Sequence, residues 1–88
     1  MSESESLLKF PCDFPIKVMG LGNADFEALV VALVREHVPD LGEAAVRSRR
    51  SQGGKYLAIT VTVRATSQEQ LDAIYRSLSG RDDILMVL

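Results

Sequence analysis

The sequence predicts an α+β domain of element order βαββαβ, with two helices covering one face of a four-stranded antiparallel sheet. Residues 56–65 alternate apolar and polar side chains, which is the period of a half-buried strand. Residues 26–34 and 71–78 carry apolar side chains at helical spacing, and shorter strand-like segments flank each of them. At 88 residues the chain has the length of one such domain.

The first strand is predicted over residues 14–19, where Phe14, Ile16 and Val18 alternate with Lys17 and Met19 at the period of a half-buried strand. It ends at residues 20–23, where two glycines permit a sharp turn. Asn23 has the character of an N-cap for the first helix, which ends before Pro39 because proline cannot continue it. His37 lies on the apolar stripe of this helix, in its last turn.

A second, weaker strand is predicted over residues 43–50, and the glycines of residues 51–54 favour a hairpin into the third strand. Residues 66–69 (Thr-Ser-Gln-Glu) have the pattern of a capping box and should open the second helix. Gly80 is placed to end this helix. Residues 82–88 then form a last strand that is apolar on both faces.

This order predicts a ferredoxin-like split βαβ arrangement, with the first and third strands central and the second and fourth at the edges. The side chains expected to face the helices are Phe14, Ile16, Val18, Leu57, Ile59, Val61 and Val63. Those expected on the other face of the sheet are Lys17, Met19, Arg47, Arg49, Tyr56, Thr60, Thr62 and Arg64.

Four segments in the same order resemble the YbeD-like family of small bacterial proteins: residues 10–20, residues 35–39, the hairpin 51–56 and the ending 84–88. The resemblance runs from Phe10 to the end of the chain. It implies a fold similar to the ACT-type regulatory domains, which are βαββαβ modules that bind small effectors and pair through their sheets. That family is one of unknown function, without an established catalytic motif. Its members are often encoded near lipoate-attachment enzymes, which implies a regulatory link to that pathway.

Residues 1–9 are predicted to be a disordered N-terminal tail, and residues 10–88 a single ACT-like domain. A net charge of −2 gives the whole chain no attraction to nucleic acid or anionic lipid. The single cysteine and the absence of a signal-peptide or membrane-spanning pattern favour a cytoplasmic protein.

The turn from the first strand into the first helix is the candidate effector site, formed by Gly20, Gly22, Asn23 and Asp25. Backbone N–H groups at a helix N-terminus attract a carboxylate, and Asp25 could hold a ligand amine. The alternative is a tight turn that requires glycine for steric reasons alone.

The open face of the sheet is the candidate partner surface, carried by Lys17, Arg47, Arg49, Tyr56 and Arg64. RNA-recognition domains use the corresponding face, but they stack bases on two or three aromatic residues, whereas only Tyr56 is available here. A protein partner or a second copy of the chain could use it instead.

Catalysis has little support. Cys12 and His37 could lie at one end of the domain, but a nucleophile and base also require contact and a third, orienting group. One histidine and one cysteine are too few for a metal site, and no cofactor is indicated. The sequence therefore predicts a non-enzymatic regulatory or adaptor domain that binds a small effector, a protein partner or both. An RNA-binding module is the alternative.

Overall fold

The structure is a computed structural model that describes residues 9–23 and 25–88. Of the predicted tail, only Lys9 lies within these ranges. The elements are β1 (Cys12–Leu21), α1 (Phe26–Arg35), β2 (Val46–Arg50), β3 (Tyr56–Ala65), α2 (Gln68–Ser79) and β4 (Ile84–Val87). No helix in the described ranges is long and apolar enough to span a membrane.

The sheet has the strand order β2-β3-β1-β4, and every neighbouring pair is antiparallel. This confirms the predicted ferredoxin-like topology, with β1 and β3 at the centre. The β1–β3 pair runs in register from Cys12 opposite Ala65 to Leu21 opposite Tyr56. The β1–β4 pair is shorter and contains a register shift after Met19.

The hydrophobic core lies between one face of the sheet and the two helices. All the residues predicted to face the helices belong to it, and only Phe14 among them is half-buried. The helices contribute a buried stripe each, formed by Phe26, Val30 and Val34 in α1 and by Leu71, Ile74 and Leu78 in α2.

Several element ends differ from the sequence prediction. The first helix, α1, ends at Arg35, so His37 lies beyond its last turn and not within it. Residues Glu43–Ala45 form a short 3₁₀ turn, so β2 begins only at Val46, and β4 begins at Ile84. The N-cap of α2 is Ser67, whose Oγ accepts the Gln70 N–H at 3.0 Å. The capping pair is therefore one residue later than the predicted Thr66 and Glu69.

Candidate functional site

Gly20 and Gly22, the two glycines predicted to form the turn after the first strand, are each enclosed by other parts of the chain. Gly20 is buried, and a Cβ atom there would overlap the Phe26 ring and lie 2.7 Å from the Asp83 carbonyl oxygen. A Cβ at Gly22 would lie 2.7 Å from the Gly54 carbonyl oxygen. Close packing thus accounts for glycine at both positions.

The backbone of Gly22 is also occupied by intramolecular hydrogen bonds. Its N–H donates to the Lys55 carbonyl at 2.9 Å, and its carbonyl accepts from Arg50 Nη1 at 3.0 Å. These bonds tie the turn to the hairpin between β2 and β3.

Asn23 and Asp25 are exposed and complete the turn. Asn23 Oδ1 accepts the Asp25 N–H at 3.1 Å, and the Asn23 carbonyl accepts the Phe26 N–H at 3.3 Å. The N-cap of α1 is Asp25, so the prediction of Asn23 in that role is wrong. Of the four predicted effector residues, Gly20 therefore lies inside β1 and is buried, while Gly22, Asn23 and Asp25 lie between β1 and α1. The side chains of Asn23 and Asp25 reach the surface.

The uncovered face of the sheet is built by the alternation of side chains along paired strands. One row across it runs from Arg47 through Thr60 and Lys17 to Leu88, the last step being a backbone pair between Lys17 and Leu88. The adjacent row has the members Arg49, Ala58, Met19 and Met86. Leu21 and Tyr56 face each other in the next row. The predicted sheet-face residues therefore do share one surface.

The charges on this face are mainly positive. Lys17, Arg47, Arg49 and Arg64 are all exposed, and Asp13 is the acid that shares the face with them. Arg64 pairs with Asp13 at 3.3 Å, although both side chains are largely exposed and such a pair contributes little to stability. The chain as a whole has a net charge of −2, so its charge is distributed unevenly.

The β4 side of the same face is apolar. Leu21, Met86 and Leu88 expose 47%, 49% and 65% of their surface, and Met19 between them is half-buried. We call these four residues the apolar strip. Leu85, at 54% exposure, adjoins it at the register shift. These exposed residues are the large apolar side chains of the described part that the core does not cover.

A cleft of about 360 Å³ lies between the apolar strip and the positive side of the face. Ala58 lies on its floor, between Met19 of β1 and Arg49 of β2, and Tyr56 and Arg50 also line the cleft. One face of the Tyr56 ring is covered by Lys55, whose Nζ lies 5.5 Å from the ring centroid. The cleft thus offers an apolar floor beside guanidinium groups.

A larger groove of about 550 Å³ runs between α1 and the start of β2. Its rim carries Glu27 and Glu43 together with Arg35, whose guanidinium donates two hydrogen bonds to the Leu41 carbonyl at 3.2 and 3.1 Å. Charges of both signs line this groove, so it has no single charge preference.

Cys12 and His37 take part in different contacts. Cys12 is a half-buried β1 residue opposite Ala65. His37 lies just beyond α1, where its Nε2 is 2.9 Å from Ser77 Oγ and its carbonyl accepts from Gln70 Nε2 at 3.2 Å. The histidine therefore links the end of α1 to α2.

The fold and the open sheet face define a small ferredoxin-like domain with one face covered by helices and the other exposed. Residues 5–88 match the family described as "Protein of unknown function (DUF493)". The chain belongs to this family, which confirms the resemblance found in the sequence.

Two relatives are both called "UPF0250 protein". One, from Paraburkholderia phytofirmans, is 49% identical over 87 residues, with 99% of this chain and 98% of the relative covered. The other, from Chromobacterium violaceum, is 49% identical over 86 residues, with 98% and 97% covered. Neither name states an activity.

The solution structure of protein HP0495 from H. pylori has the same fold, with a TM-score of 0.76. Its identity is 16%, and the superposition covers 100% of this chain and 93% of the other. At this identity the likeness concerns the fold.

The apolar strip is the part of the surface that sequence reasoning did not assign to a site. The sequence pattern predicts Leu21 in the turn, whereas β1 continues through it and places it on the open face. Met86 and Leu88 were recognised as apolar, but their position beside Met19 depends on the β1–β4 register. The apolar character of both faces of β4 was the signal available in the sequence.

Proposed function

We propose that this protein is a non-enzymatic adaptor or regulatory domain that binds a protein partner through its open sheet face. The observation that carries the proposal is the apolar strip. Antiparallel sheets commonly leave one face to solvent, but that face is then normally polar. Exposed apolar side chains grouped beside charged residues are typical of interaction surfaces.

RNA binding, the alternative that the sequence left open, has weaker support. Phosphate groups could meet the cations, but single-stranded nucleic acids also need aromatic side chains on which bases stack. Tyr56 is the aromatic residue on the described open face, and Lys55 covers one side of its ring. Aliphatic side chains and methionines fill the remaining apolar area.

A second candidate function is binding of a small effector at the β1–α1 turn, and the exposed carboxylate of Asp25 favours it. A ligand amine could pair with Asp25 while a polar group meets Asn23. A thermal-shift screen of amino acids and related metabolites tests this, since a ligand at 100 times its Kd adds about 2.7 kcal/mol to stability. A hit that is unchanged in Asn23→Ala and Asp25→Ala would exclude the turn.

Site-specific photo-cross-linking in the native cell tests the adaptor proposal. A photo-reactive residue at position 88, which is exposed on the open face, should form a protein adduct. The same residue at position 76, on the exposed side of α2, should not. The lipoate-attachment enzymes implied by the family resemblance are the first partners to look for. Equal cross-linking at both positions, or at neither, would contradict the proposal.

A further inference from the structure

We infer that the open face binds an acidic amphipathic helix of a partner protein, and this inference rests on the proposed function above. The helix would lay its apolar stripe on the apolar strip and direct carboxylates to Lys17, Arg47 and Arg49. Three features of the face support this occupant: the dimensions of the strip, the sign of the neighbouring charges and the floor of the cleft.

The dimensions of the strip suit a helix. It covers two neighbouring strands, β1 and β4, and strands lie roughly 5 Å apart, so a helix of roughly 10 Å diameter covers both. Along β1 it runs from the row of Lys17 to the row of Leu21. That distance is roughly 14 Å, which a helical segment of roughly nine residues spans.

The positive charges beside the apolar strip favour a partner that carries carboxylates. Lys17 lies in the row next to Met19, and Arg47 and Arg49 stand on the far side of β3. Arg49 also lines the cleft whose floor is Ala58. Because Ala58 is small, an apolar side chain can enter the cleft while a neighbouring carboxylate meets the Arg49 guanidinium.

The same charges disfavour a second copy of the chain on this face. A two-fold face-to-face dimer centred on the open face would bring Lys17, Arg47 and Arg49 of the two copies close together. Like charges in an interface oppose association. A partner with carboxylates avoids this repulsion.

The test is an NMR titration of the ¹⁵N-labelled 88-residue chain with three synthetic probes. The first is a peptide helix with a leucine stripe flanked by glutamates, the second is the same peptide with every glutamate replaced by glutamine, and the third is single-stranded oligouridylate. The glutamate peptide should shift the amide signals of Lys17, Met19, Ala58 and Met86. The glutamine peptide should bind at least about tenfold more weakly, since several charge-assisted contacts are lost together.

Two arginine variants test whether the charges of the open face bind the glutamate peptide. Arg49→Ala should weaken binding of the glutamate peptide by about twofold to fivefold, the range for an exposed ion pair. Arg76→Ala removes an exposed arginine of α2 on the helical side and should leave the affinity unchanged. Neither substitution touches a buried residue, so both proteins should fold.

Equal binding of the two peptides, shifts confined to the helical side, or tighter binding of oligouridylate would each overturn the inference. A protein cross-link from position 88 that forms in cell lysate with a yield that does not fall as salt is raised would have a different meaning. The adaptor function would then stand, and the acidic character of the partner would be wrong.

Discussion

The aromatic ring of Phe26 occupies the space into which any side chain at Gly20 would project. Gly20 is a central-strand residue paired with Leu57 and Ile84, and Phe26 begins α1 and is 2% exposed. The contact sets how closely the helix approaches the sheet. Glycine at the end of β1 is therefore a packing requirement of the fold.

Gly20→Ala should destabilise the domain by about 1–3 kcal/mol, the range for overpacking a filled core. The Asp83 carbonyl on the other side of Gly20 is backbone and cannot move away easily. Urea unfolding measures the change as a shift in midpoint. Gly42→Ala is the matched control, because a Cβ there meets nothing within 4 Å and the φ of −94° suits alanine. Equal midpoints for the two variants would show that the Phe26 ring can move aside at little expense.

The sequence predicted the elements whose signals are local and periodic. The alternation in β3 and the stripes of α1 and α2 identify the core without reference to any other part of the chain. The strand order followed from topology rules, because few arrangements of βαββαβ satisfy them.

The element ends could not be predicted from local patterns. The capping pattern occurs twice in succession, as Thr66 with Glu69 and as Ser67 with Gln70. In the structure Gln70 also accepts from the Thr66 N–H at 2.8 Å and donates to the His37 carbonyl at 3.2 Å. The second of these is a tertiary contact, so the sequence does not show which pair forms the cap.

The candidate site was predicted only in part, because one half of it also depends on tertiary contacts. Lys17, Arg47, Arg49 and Arg64 followed from the alternation within single strands. The apolar strip requires the register of β4 against β1, including the shift after Met19, and a shift of one residue exchanges the two faces of a strand.

Removing the N-cap of α2 should lower stability by about 1 kcal/mol. Ser67→Ala leaves the Gln70 N–H without the oxygen that now lies 3.0 Å away. The control is Thr66→Ala. The Thr66 hydroxyl donates a longer, exposed hydrogen bond of 3.2 Å to Gln70 Oε1 and does not cap the helix. Urea midpoints that fall further for Thr66→Ala than for Ser67→Ala would show that the earlier capping pair is the important one.

Tyr75 should ionise at a higher pH in the folded protein than in the unfolded chain. Burial of the phenol raises the pKa of Tyr75 above its ordinary 10.0, because the charged form is less well hydrated. Its hydroxyl donates to the Leu88 carbonyl at 3.1 Å, a bond that the phenolate cannot make. Tyr56→Phe leaves Tyr75 as the single tyrosine, so its absorbance near 295 nm reports this group alone.

The raised pKa of Tyr75 means that the folded protein loses stability at high pH. The contribution of Tyr75 is fully present below the unfolded pKa of about 10 and is lost as the pH rises through the higher folded pKa. The Tyr56→Phe protein should therefore lose more stability above this pH than the Tyr56→Phe, Tyr75→Phe double variant. A titration midpoint that is the same in native and urea-unfolded Tyr56→Phe protein would contradict the expectation.

Self-association of the free domain should increase with salt. The apolar strip favours contact between copies, whereas Lys17, Arg47 and Arg49 on the same face oppose it. Salt screens the repulsion, with a Debye length that falls from about 10 Å at 0.1 M to about 3 Å at 1 M, and leaves the apolar attraction in place. Sedimentation velocity at several salt concentrations measures the balance.

Met86→Ser is the variant that separates the two contributions to this association. Met86 is 49% exposed, so its replacement should change stability by no more than about 0.5 kcal/mol while removing the centre of the strip. We expect this protein to remain monomeric at high salt, while wild type and the control Ala32→Ser, on the exposed side of α1, associate. Association that weakens as salt rises would mean that ion pairs hold the copies together. In that case the open face would bind a second copy of the chain, and the inference of an acidic partner in place of a second copy would be wrong.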